Sequence, residues 1–367
     1  MNEKQKIIHS STQLTINRLK TNLAEVITPE EFDGLIARID SGEQITHYIG
    51  FEISGYVHIG QGIMSALVIK DLQALGVKCT IWLADWHTAI NHKLDGTKET
   101  AAKIGKGYFT EAIKACLLAV GADASAVDFR LASEWYEKDA MGYWETVMSV
   151  MQNTTLARMQ RSISIMGKEA GEDVEMATLL YPAMQVADIL YQKLGIAHSS
   201  MDQRKAHVVM RDVVGKMMPG KPKPVALHHA LIDSLTGENK MSKSKPDSAV
   251  FIHDSEDDIA RKIKKAFCEE KNIEKNPILN WTKNILFWDK EHKFVIERDE
   301  KFGGTVSFNS YEELEKAFAS GDVHPMDLKS AVTKEIIALL APAHEHFAKP
   351  EIAEMKKELD DVIAKRG

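Results

Sequence analysis

The sequence contains few cysteines, and none of them are spaced as a disulfide scaffold or a zinc site requires. Only three of the 367 residues are cysteine, and Cys79, Cys116 and Cys268 lie far apart without a CxxC pair. Small disulfide-stapled domains and structural zinc sites need closely spaced cysteines, so both classes are excluded. Because scattered thiols fit a reducing compartment, we expect the protein to be cytoplasmic.

Long apolar runs and an excess of positive charge are also missing. No run approaches the roughly 18–20 apolar residues that a membrane span requires, and the polar amino terminus has no apolar signal-peptide segment. The net charge is −7, so the molecule as a whole does not attract nucleic acid. A nucleic-acid site must therefore be a local basic patch on an acidic body.

What is present in the first half is an alternation of apolar strands and helices, without internal repeats. Strands are predicted at 45–53, 79–84 and 127–131, and helices at 60–75 and 98–119. Residues 6–40 are also predicted to be helical, with a helix start at 28–31 because Thr28 suits the N-cap and Pro29 the first helical position. The alternation predicts an α/β fold with a Rossmann-type, doubly wound parallel sheet. In such sheets the ligand binds at the carboxyl ends of the strands.

Longer helical patterns then replace the alternation. The patterns at 136–166 and 174–194 are too long for simple crossovers, so they predict a helical insertion at about 136–194. Further helices are predicted at 255–268, 311–320, 326–341 and 350–365. We therefore expect two domains: N-terminal helices with the sheet-containing domain over 1–253, and a helical domain over 254–367.

The turn SGYVHIGQ at 54–61 suits a phosphate group. Gly55 and Gly60 let the backbone approach a ligand closely, and the following helix presents free N–H groups at its positive end. His58 can donate a hydrogen bond to a phosphate oxygen. Taken alone, an ordinary glycine turn with an incidental histidine is the more frequent explanation.

A second polar segment, KMSKSKP at 240–246, has three lysines within six residues. Such a loop can close over a triphosphate and neutralise its charge. Taken alone, a solvated basic loop explains it more often.

Together, in this order and 182 positions apart, the two segments resemble the HIGH and KMSKS signatures of the class I aminoacyl-tRNA synthetases. The segment at 240–246, called the lysine loop below, contains the KMSKS signature letter for letter. The turn at 54–61 departs from the HIGH signature only at Gln61. The resemblance narrows to the tyrosyl enzymes of archaea and eukaryotes over roughly residues 8–345. The stretches that carry it are YIGFEISG (48–55), LADWH (83–87), YPAMQVADI (181–189), MDQRKAH (201–207) and SYEELEKAF with HPMDLKSAV (310–332).

This resemblance implies ATP-dependent attachment of L-tyrosine to tRNA(Tyr) through a tyrosyl-adenylate. ATP would be a substrate that arrives with Mg²⁺, and no resident metal is expected. The partners would be tRNA(Tyr) and a second copy of the chain in a homodimer. The domain over 254–367 would bind the anticodon.

The resemblance also assigns residues to tyrosine. Tyr48 and Asp188 would hold the phenol, while Tyr181, Gln185 and Gln203 would hold the ammonium and carboxylate groups; Glu52, Gly50 and His87 would line the tyrosine and adenylate region. The residue types support this independently, because 181, 185 and 188 share one helix face on which an apolar core would place no Gln or Asp. The alternative is that Asp188 only pairs within the helical layer.

The remaining assignments concern ATP and tRNA. ATP would contact Gly50, Gly55, His58, Gly60, Gln61, Asp202, Lys240, Met241, Ser242, Lys243 and Ser244. Among these, Asp202 would bind the ribose, and His58, Lys240 and Lys243 would stabilise the charge that develops in catalysis. The acceptor end of the tRNA would meet Arg204 and Lys205, and the anticodon would meet Phe302, His324, Met326 and Asp327. An aromatic ring, an imidazole and a carboxylate suit unstacked bases.

The chain departs from the family pattern at several positions. Gln61 replaces the second signature histidine, Ser199-Ser200 replace a usual Gly-Gly, Ile53 stands where proline is common, and Lys243 stands where serine is frequent. Three other functions remain open: a tryptophanyl enzyme of the same class, a small nucleotidyltransferase and a non-catalytic RNA-binding paralogue. A nicotinamide oxidoreductase is disfavoured because there is no GxGxxG.

Overall fold

A computed structural model describes residues 3–168, 175–237, 241 and 246–365. Its main sheet has six strands: β1 (Glu25–Ile27), β2 (Thr46–Phe51), β3 (Lys78–Leu83), β4 (Asp128–Leu131), β5 (Ile196–Ser200) and β6 (Val225–His229). The strand order is β1-β6-β5-β2-β3-β4, and every neighbouring pair is parallel except β1 with β6. The predicted doubly wound sheet is therefore confirmed, with an antiparallel strand at one edge.

Helices cover both faces of this sheet and form most of the second half of the chain. They are α1 (Glu3–Asn22), α2 (Pro29–Asp40), α3 (Ile59–Ala74), α4 (Asp85–Ile90), α5 (Lys98–Ile104), α6 (Thr110–Ala119), α7 (Ala132–Lys138), α8 (Ala140–Gln152), α9 (Leu156–Ser162), α10 (Met176–Tyr191), α11 (Arg204–Met217), α12 (Glu256–Lys265), α13 (Pro277–Asn284), α14 (Tyr311–Ser320), α15 (Pro325–Phe347) and α16 (Pro350–Ala364). A two-stranded antiparallel sheet, β7 (Phe294–Ile296) with β8 (Val306–Phe308), lies among the later helices.

Helices on both faces explain why the central strands are apolar along their whole length. In β3, for example, every residue after Lys78 is buried. The helix α3 is likewise buried on most of its surface, which agrees with its mainly apolar sequence. The predicted phosphate turn at 54–61 lies between the end of β2 and the start of α3. It is therefore at the carboxyl edge of the sheet.

Several predicted helices are interrupted. The predicted helix at 6–40 is wrong around Glu25–Ile27, where the chain forms β1, although Thr28 does cap α2 by accepting a hydrogen bond from the Glu31 amide. The predicted helix at 98–119 contains a π-helical segment, Gly105–Phe109, and the pattern at 136–166 is divided among α7, α8 and α9. Strands β5 and β6 were not predicted.

The late helices pack back onto the sheet-containing part of the chain. Helix α15 contacts α6, and α16 contacts α5 and the π-helical segment. The Tyr56 hydroxyl donates a hydrogen bond to Asp360 Oδ1 at 2.5 Å, which joins α16 to the phosphate turn. Within the described residues, no helix has the length and apolar character needed to cross a membrane.

Candidate active site

A cavity of about 730 Å³ opens at the carboxyl ends of the central strands. Every predicted tyrosine- and ATP-binding residue that the structure describes lines it: Tyr48, Gly50, Glu52, Gly55, His58, Gly60, Gln61, His87, Tyr181, Gln185, Asp188, Asp202, Gln203 and Met241. Lys240, Ser242, Lys243 and Ser244 lie outside the described residues. The structure thus brings together side chains from β2, α3, α4, α10 and the segment after β5.

At one end of the cavity the carboxylate of Asp188 is fully buried on α10. Its Oδ1 accepts hydrogen bonds from the Tyr136 hydroxyl at 2.7 Å and the Tyr143 hydroxyl at 3.0 Å. Its Oδ2 accepts from the Trp82 indole N–H at 3.1 Å. Burial raises the pKa of Asp188 to about 8, while these three hydrogen bonds act in the opposite direction by favouring the charged form.

Tyr136 and Tyr143 were not among the predicted site residues. Their rings stack with centroids 3.8 Å apart, and they come from α7 and α8 of the predicted insertion. Tyr48 is also buried here, and its ring lies 6.2 Å from that of Trp82. Of these residues, Tyr48 and Asp188 line the cavity, while Tyr136, Tyr143 and Trp82 hold the Asp188 carboxylate through hydrogen bonds.

Glu52 and Tyr181 mark the middle of the cavity. The Tyr181 hydroxyl donates to Glu52 Oε2 at 3.3 Å, and the Asn91 amide donates to the same oxygen at 2.6 Å. His87 packs edge-on against Tyr181, with ring centroids 4.5 Å apart, and burial lowers the pKa of His87 to about 4. The Glu52 carboxylate and the Tyr181 hydroxyl place oxygen acceptors in this part of the cavity, which suits an ammonium group.

Two glutamines also line the cavity. Gln185 Nε2 donates to Gln203 Oε1 at 3.3 Å, and Gln203 Nε2 donates to the Ile165 carbonyl at 2.9 Å. Gln185 Oε1 is buried and has no hydrogen-bond partner within the described part of the chain. Since buried polar atoms are nearly always satisfied, this oxygen marks a position for a hydrogen-bond donor on a ligand.

The other end of the cavity is the turn before α3. His58 is the N-cap of this helix, and its Nδ1 accepts a hydrogen bond from the Gln61 amide at 3.2 Å. The ring proton is therefore on Nε2. The Gln61 side chain also reaches the cavity, with its Oε1 buried and unpartnered among the described residues.

The backbone of this turn is held by the segment that follows the lysine loop. The Ile59 amide donates to the Val250 carbonyl at 3.0 Å, and the Ile252 amide donates to the Val57 carbonyl at 3.1 Å. A Cβ added at Gly60 would lie 3.3 Å from Met241 Sδ, which places the described part of the lysine loop directly over the turn. The two signature segments are therefore neighbours in the fold.

Comparisons with known proteins agree with this arrangement. The family model "tRNA synthetases class I (W and Y)" matches residues 40–341. A tyrosine–tRNA ligase of Thermococcus kodakarensis is 46% identical, over 91% of this chain and 95% of the relative. The chain belongs to the class I tRNA synthetases, in the tyrosine–tRNA ligase family.

Solved structures of synthetases show the same fold. A tyrosyl-tRNA synthetase from Pyrococcus horikoshii, complexed with L-tyrosine, matches with a TM-score of 0.88 and 42% identity, over 94% of this chain and 99% of that one. The enzyme from Aeropyrum pernix matches with a TM-score of 0.81 and 38% identity, over 96% and 99%. A tryptophanyl-tRNA synthetase from Aeropyrum pernix K1 shares the fold at 18% identity, with a TM-score of 0.63 over 90% of this chain and 84% of that one.

Two residues that the synthetase resemblance assigns to the tRNA acceptor end, Arg204 and Lys205, begin α11 just outside the cavity. Arg204 Nε donates to Glu25 Oε2 at 2.7 Å, and Lys205 Nζ donates to Ser164 Oγ at 2.8 Å. Both side chains remain substantially exposed. They are therefore accessible to a nucleic acid that approaches the mouth of the cavity.

The residues assigned to the anticodon lie on two segments, the short helical turn that contains Phe302 and the start of α15. Arg298 connects these two segments by hydrogen bonds. Phe302 is 64% exposed in a short helical turn, and His324 caps α15 by accepting from the Met326 amide at 3.2 Å. Arg298 donates to the Gly304 carbonyl at 2.9 Å and to the Asp322 carbonyl at 2.7 Å. It thereby ties the segment after Phe302 to the start of α15, which also carries Asp327.

Proposed function

We propose that this chain attaches L-tyrosine to tRNA(Tyr) in two steps, using ATP. The observation that carries the proposal is one continuous cavity with a buried acceptor for a phenol, Asp188, at one end and the His58 turn at the other. An amino acid seated on Asp188 would direct its carboxylate towards that turn. The membership of the tyrosine–tRNA ligase family supports the same choice.

In the first step, the tyrosine carboxylate attacks the α-phosphate of ATP in line. A carboxylate-oxygen-to-phosphorus bond forms, the bond to the bridging oxygen breaks, and pyrophosphate leaves with the electron pair. The Nε2–H of His58 donates to a phosphate oxygen, and the positive end of the α3 dipole favours the negative charge beside it. The Ile59 and Gln61 amides are already bound to Val250 and His58, so they are not free for the phosphate as the sequence suggested. Lys240 and Lys243 are assigned by their motif to neutralise the remaining charge, and Mg²⁺ enters as part of the ATP complex.

In the second step, a ribose hydroxyl at the tRNA end attacks the carbonyl of the adenylate. An ester bond forms, the bond between the carbonyl carbon and the phosphate oxygen breaks, AMP leaves with the electron pair, and the hydroxyl proton is released to solvent. No covalent bond to the enzyme is required, because the cavity holds both reacting groups in position. Arg204 and Lys205 are the proposed contacts for the acceptor end. Phe302, His324, Met326 and Asp327 are the proposed contacts for the anticodon, within the domain over 254–367.

Tyrosine-dependent ATP–pyrophosphate exchange tests the first step. We expect exchange with tyrosine and little with phenylalanine, since phenylalanine has no hydroxyl to donate to Asp188. Robust exchange with tryptophan alone would contradict the specificity. No adenylate with any amino acid would favour the non-catalytic paralogue.

The proposed homodimer has a candidate surface on α8. Met141, Trp144, Met148 and Met151 follow helical spacing and are 71%, 46%, 51% and 36% exposed. A contiguous exposed apolar stripe is a common mark of a protein interface, and a two-fold axis would pair it with itself. Met148→Glu should shift sedimentation from dimer to monomer, whereas Leu14→Glu, at an exposed apolar residue on α1, should not; a wild-type monomer would contradict the proposal.

The proposed compartment is the cytoplasm. Cys79, Cys116 and Cys268 are all free, and the first two are buried. Fractionation of the cell of origin, followed with an antibody against the chain, would test this assignment.

A further inference from the structure

Three buried histidines form a hydrogen-bonded chain that the proposed mechanism does not use. His47 Nε2 lies 3.1 Å from His198 Nδ1, and His198 Nε2 lies 2.8 Å from His229 Nδ1. His47 and His198 are fully buried, and His229 is 2% exposed. A row of imidazoles of this kind is a polar network whose members fix one another's orientation.

The sheet explains how the three rings meet. They come from β2, β5 and β6, which are neighbours in the sheet. In the parallel register His198 lies opposite Ile49, two residues beyond His47, and His229 lies opposite Ser200, two residues beyond His198. Steps of two keep all three side chains on one face. The chain therefore runs diagonally to the carboxyl edge, where His229 lines the cavity.

The hydrogen bonds also determine which nitrogen of each ring carries the proton. Burial lowers the pKa of His47 to about 3 and that of His229 to about 4, and the pKa of His198 is lowered well below its ordinary value, so all three rings are neutral. A neutral ring carries one N–H. Within the described residues His47 Nδ1 is buried and has no partner.

A buried N–H without an acceptor is rarer than a buried acceptor without a donor, so the His47 proton is expected on Nε2. It then donates to His198, which donates to Nδ1 of His229. Because Nδ1 of His229 accepts, the single ring proton of His229 is on Nε2. This N–H can donate only to an acceptor that is not one of the three histidines.

We propose that His229 is a further nucleotide-binding residue, whose Nε2–H donates to a ribose hydroxyl of ATP and of the adenylate. His198 and His47 are positioning residues that set its tautomer. The inference rests on the proposed function. It is supported by Asp202, the carboxylate that the family resemblance assigns to the ribose, because Asp202 lines the same cavity.

Calorimetric titration of the full chain with ATP tests the proposal without requiring catalysis. In His229→Asn the side-chain amide occupies the place of Nδ1 and keeps an acceptor for His198, but it loses the outward donor. In His229→Gln the amide nitrogen occupies the place of Nε2 and keeps that donor. We expect roughly five- to tenfold weaker ATP binding for His229→Asn, and binding within about twofold of wild type for His229→Gln.

His207→Asn is the matched control. His207 Nδ1 lies 3.0 Å from His228 Nε2, so it also belongs to a buried imidazole pair, but it does not line the cavity. This variant should change the melting temperature without weakening ATP binding. Equal binding by wild type and His229→Asn, or equal weakening in His229→Asn and His229→Gln, would overturn the proposal.

Titration with 2′-deoxy-ATP and 3′-deoxy-ATP identifies the hydroxyl. On the wild type, one of the two analogues should bind more weakly than ATP, because it lacks the hydroxyl that His229 contacts. On His229→Asn, the same analogue and ATP should bind equally well. If each analogue loses the same affinity relative to ATP on the wild type and on His229→Asn, the proposed ribose contact is wrong. Failure of the proposed function would appear separately, as absent tyrosine-dependent exchange by the wild type.

Nitrogen-15 NMR of histidine-labelled wild-type protein tests the tautomer without any substitution. Nε2 of His229 should carry the proton, and Nδ1 should have the shift of an acceptor. A protonated Nδ1 in His229 would contradict the proposed proton order.

Discussion

Asp188 accepts hydrogen bonds from three side chains of the fold before any ligand binds. Tyr136, Tyr143 and Trp82 all act as donors there, so the carboxylate is fixed in orientation as well as buried. A donor from a substrate phenol would complete this set, whereas an amide at this position would turn its own N–H groups towards existing donors.

Asp188→Asn is therefore expected to reduce kcat/KM for tyrosine in pyrophosphate exchange by about a hundredfold, corresponding to roughly 3 kcal/mol. The rate with phenylalanine should change little, so the preference between the two substrates should shrink. Asp85→Asn is the control, because Asp85 is a second buried carboxylate that accepts from the Ser133 amide at 3.1 Å and lies outside the cavity. An unchanged preference in Asp188→Asn would remove Asp188 from tyrosine recognition.

Gly50 provides a second prediction at the same scale. A Cβ at this position would lie 2.3 Å from the Tyr48 hydroxyl, so Gly50→Ala should displace the Tyr48 ring and raise the KM for tyrosine roughly tenfold or more. Gly34→Ala on α2 is the control, since nothing lies within 4 Å of its added Cβ. That substitution should instead stabilise the protein by roughly 0.5–1 kcal/mol. Tyrosine kinetics and urea unfolding of both variants would decide.

Among the elements, α16 has an unexpected relation to the active site. A helix was predicted at 350–365 as part of the C-terminal domain, and the structure places its Ile363 in the wall of the cavity. The Asp360 carboxylate, three residues earlier, binds the Tyr56 hydroxyl in the turn that precedes α3. The last helix therefore borders the phosphate end of the cavity.

Ile363→Glu should accordingly raise the KM for ATP roughly fivefold at low salt, because a carboxylate near the phosphates adds about 1 kcal/mol of repulsion. The effect should diminish as ionic strength rises, and the KM for tyrosine should stay unchanged. Ile363→Gln has nearly the same size without the charge, so it should resemble the wild type. Equal effects of Glu and Gln would show a role of shape rather than of charge.

Some of these elements could be predicted from the sequence alone and others could not. Strands β2 and β3 and helix α3 were predicted because their apolar patterns are local. Strands β5 and β6 were missed because IAHSS and VALHH place buried histidines and serines where an apolar run is expected. Tyr143 and Tyr136 were missed because their hydrogen bonds to Asp188 span 45 and 52 positions, and no local pattern encodes such contacts.

For the molecule as a whole, the buried histidines determine how stability depends on pH. Burial lowers the pKa of His47 and His253 to about 3, and that of His87 and His229 to about 4. Each is neutral in the fold but binds a proton in the unfolded chain below about pH 6.5. The folded state therefore loses stability as the pH falls from about 6.5 towards 4.

Between pH 7 and pH 5 each of these histidines should cost about 2 kcal/mol of unfolding free energy. Asp188 works in the opposite sense, because its raised pKa of about 8 penalises the fold above the unfolded value and the penalty shrinks as the pH falls, offsetting about one histidine. Urea unfolding at pH 7, 6 and 5 should show a decline that begins before ordinary carboxylates titrate. His253→Phe, at a ring stacked on Phe251 with centroids 5.9 Å apart, should make the slope shallower by roughly one proton. A flat profile between pH 7 and 5 would mean that these imidazoles are hydrated or charged in the native protein.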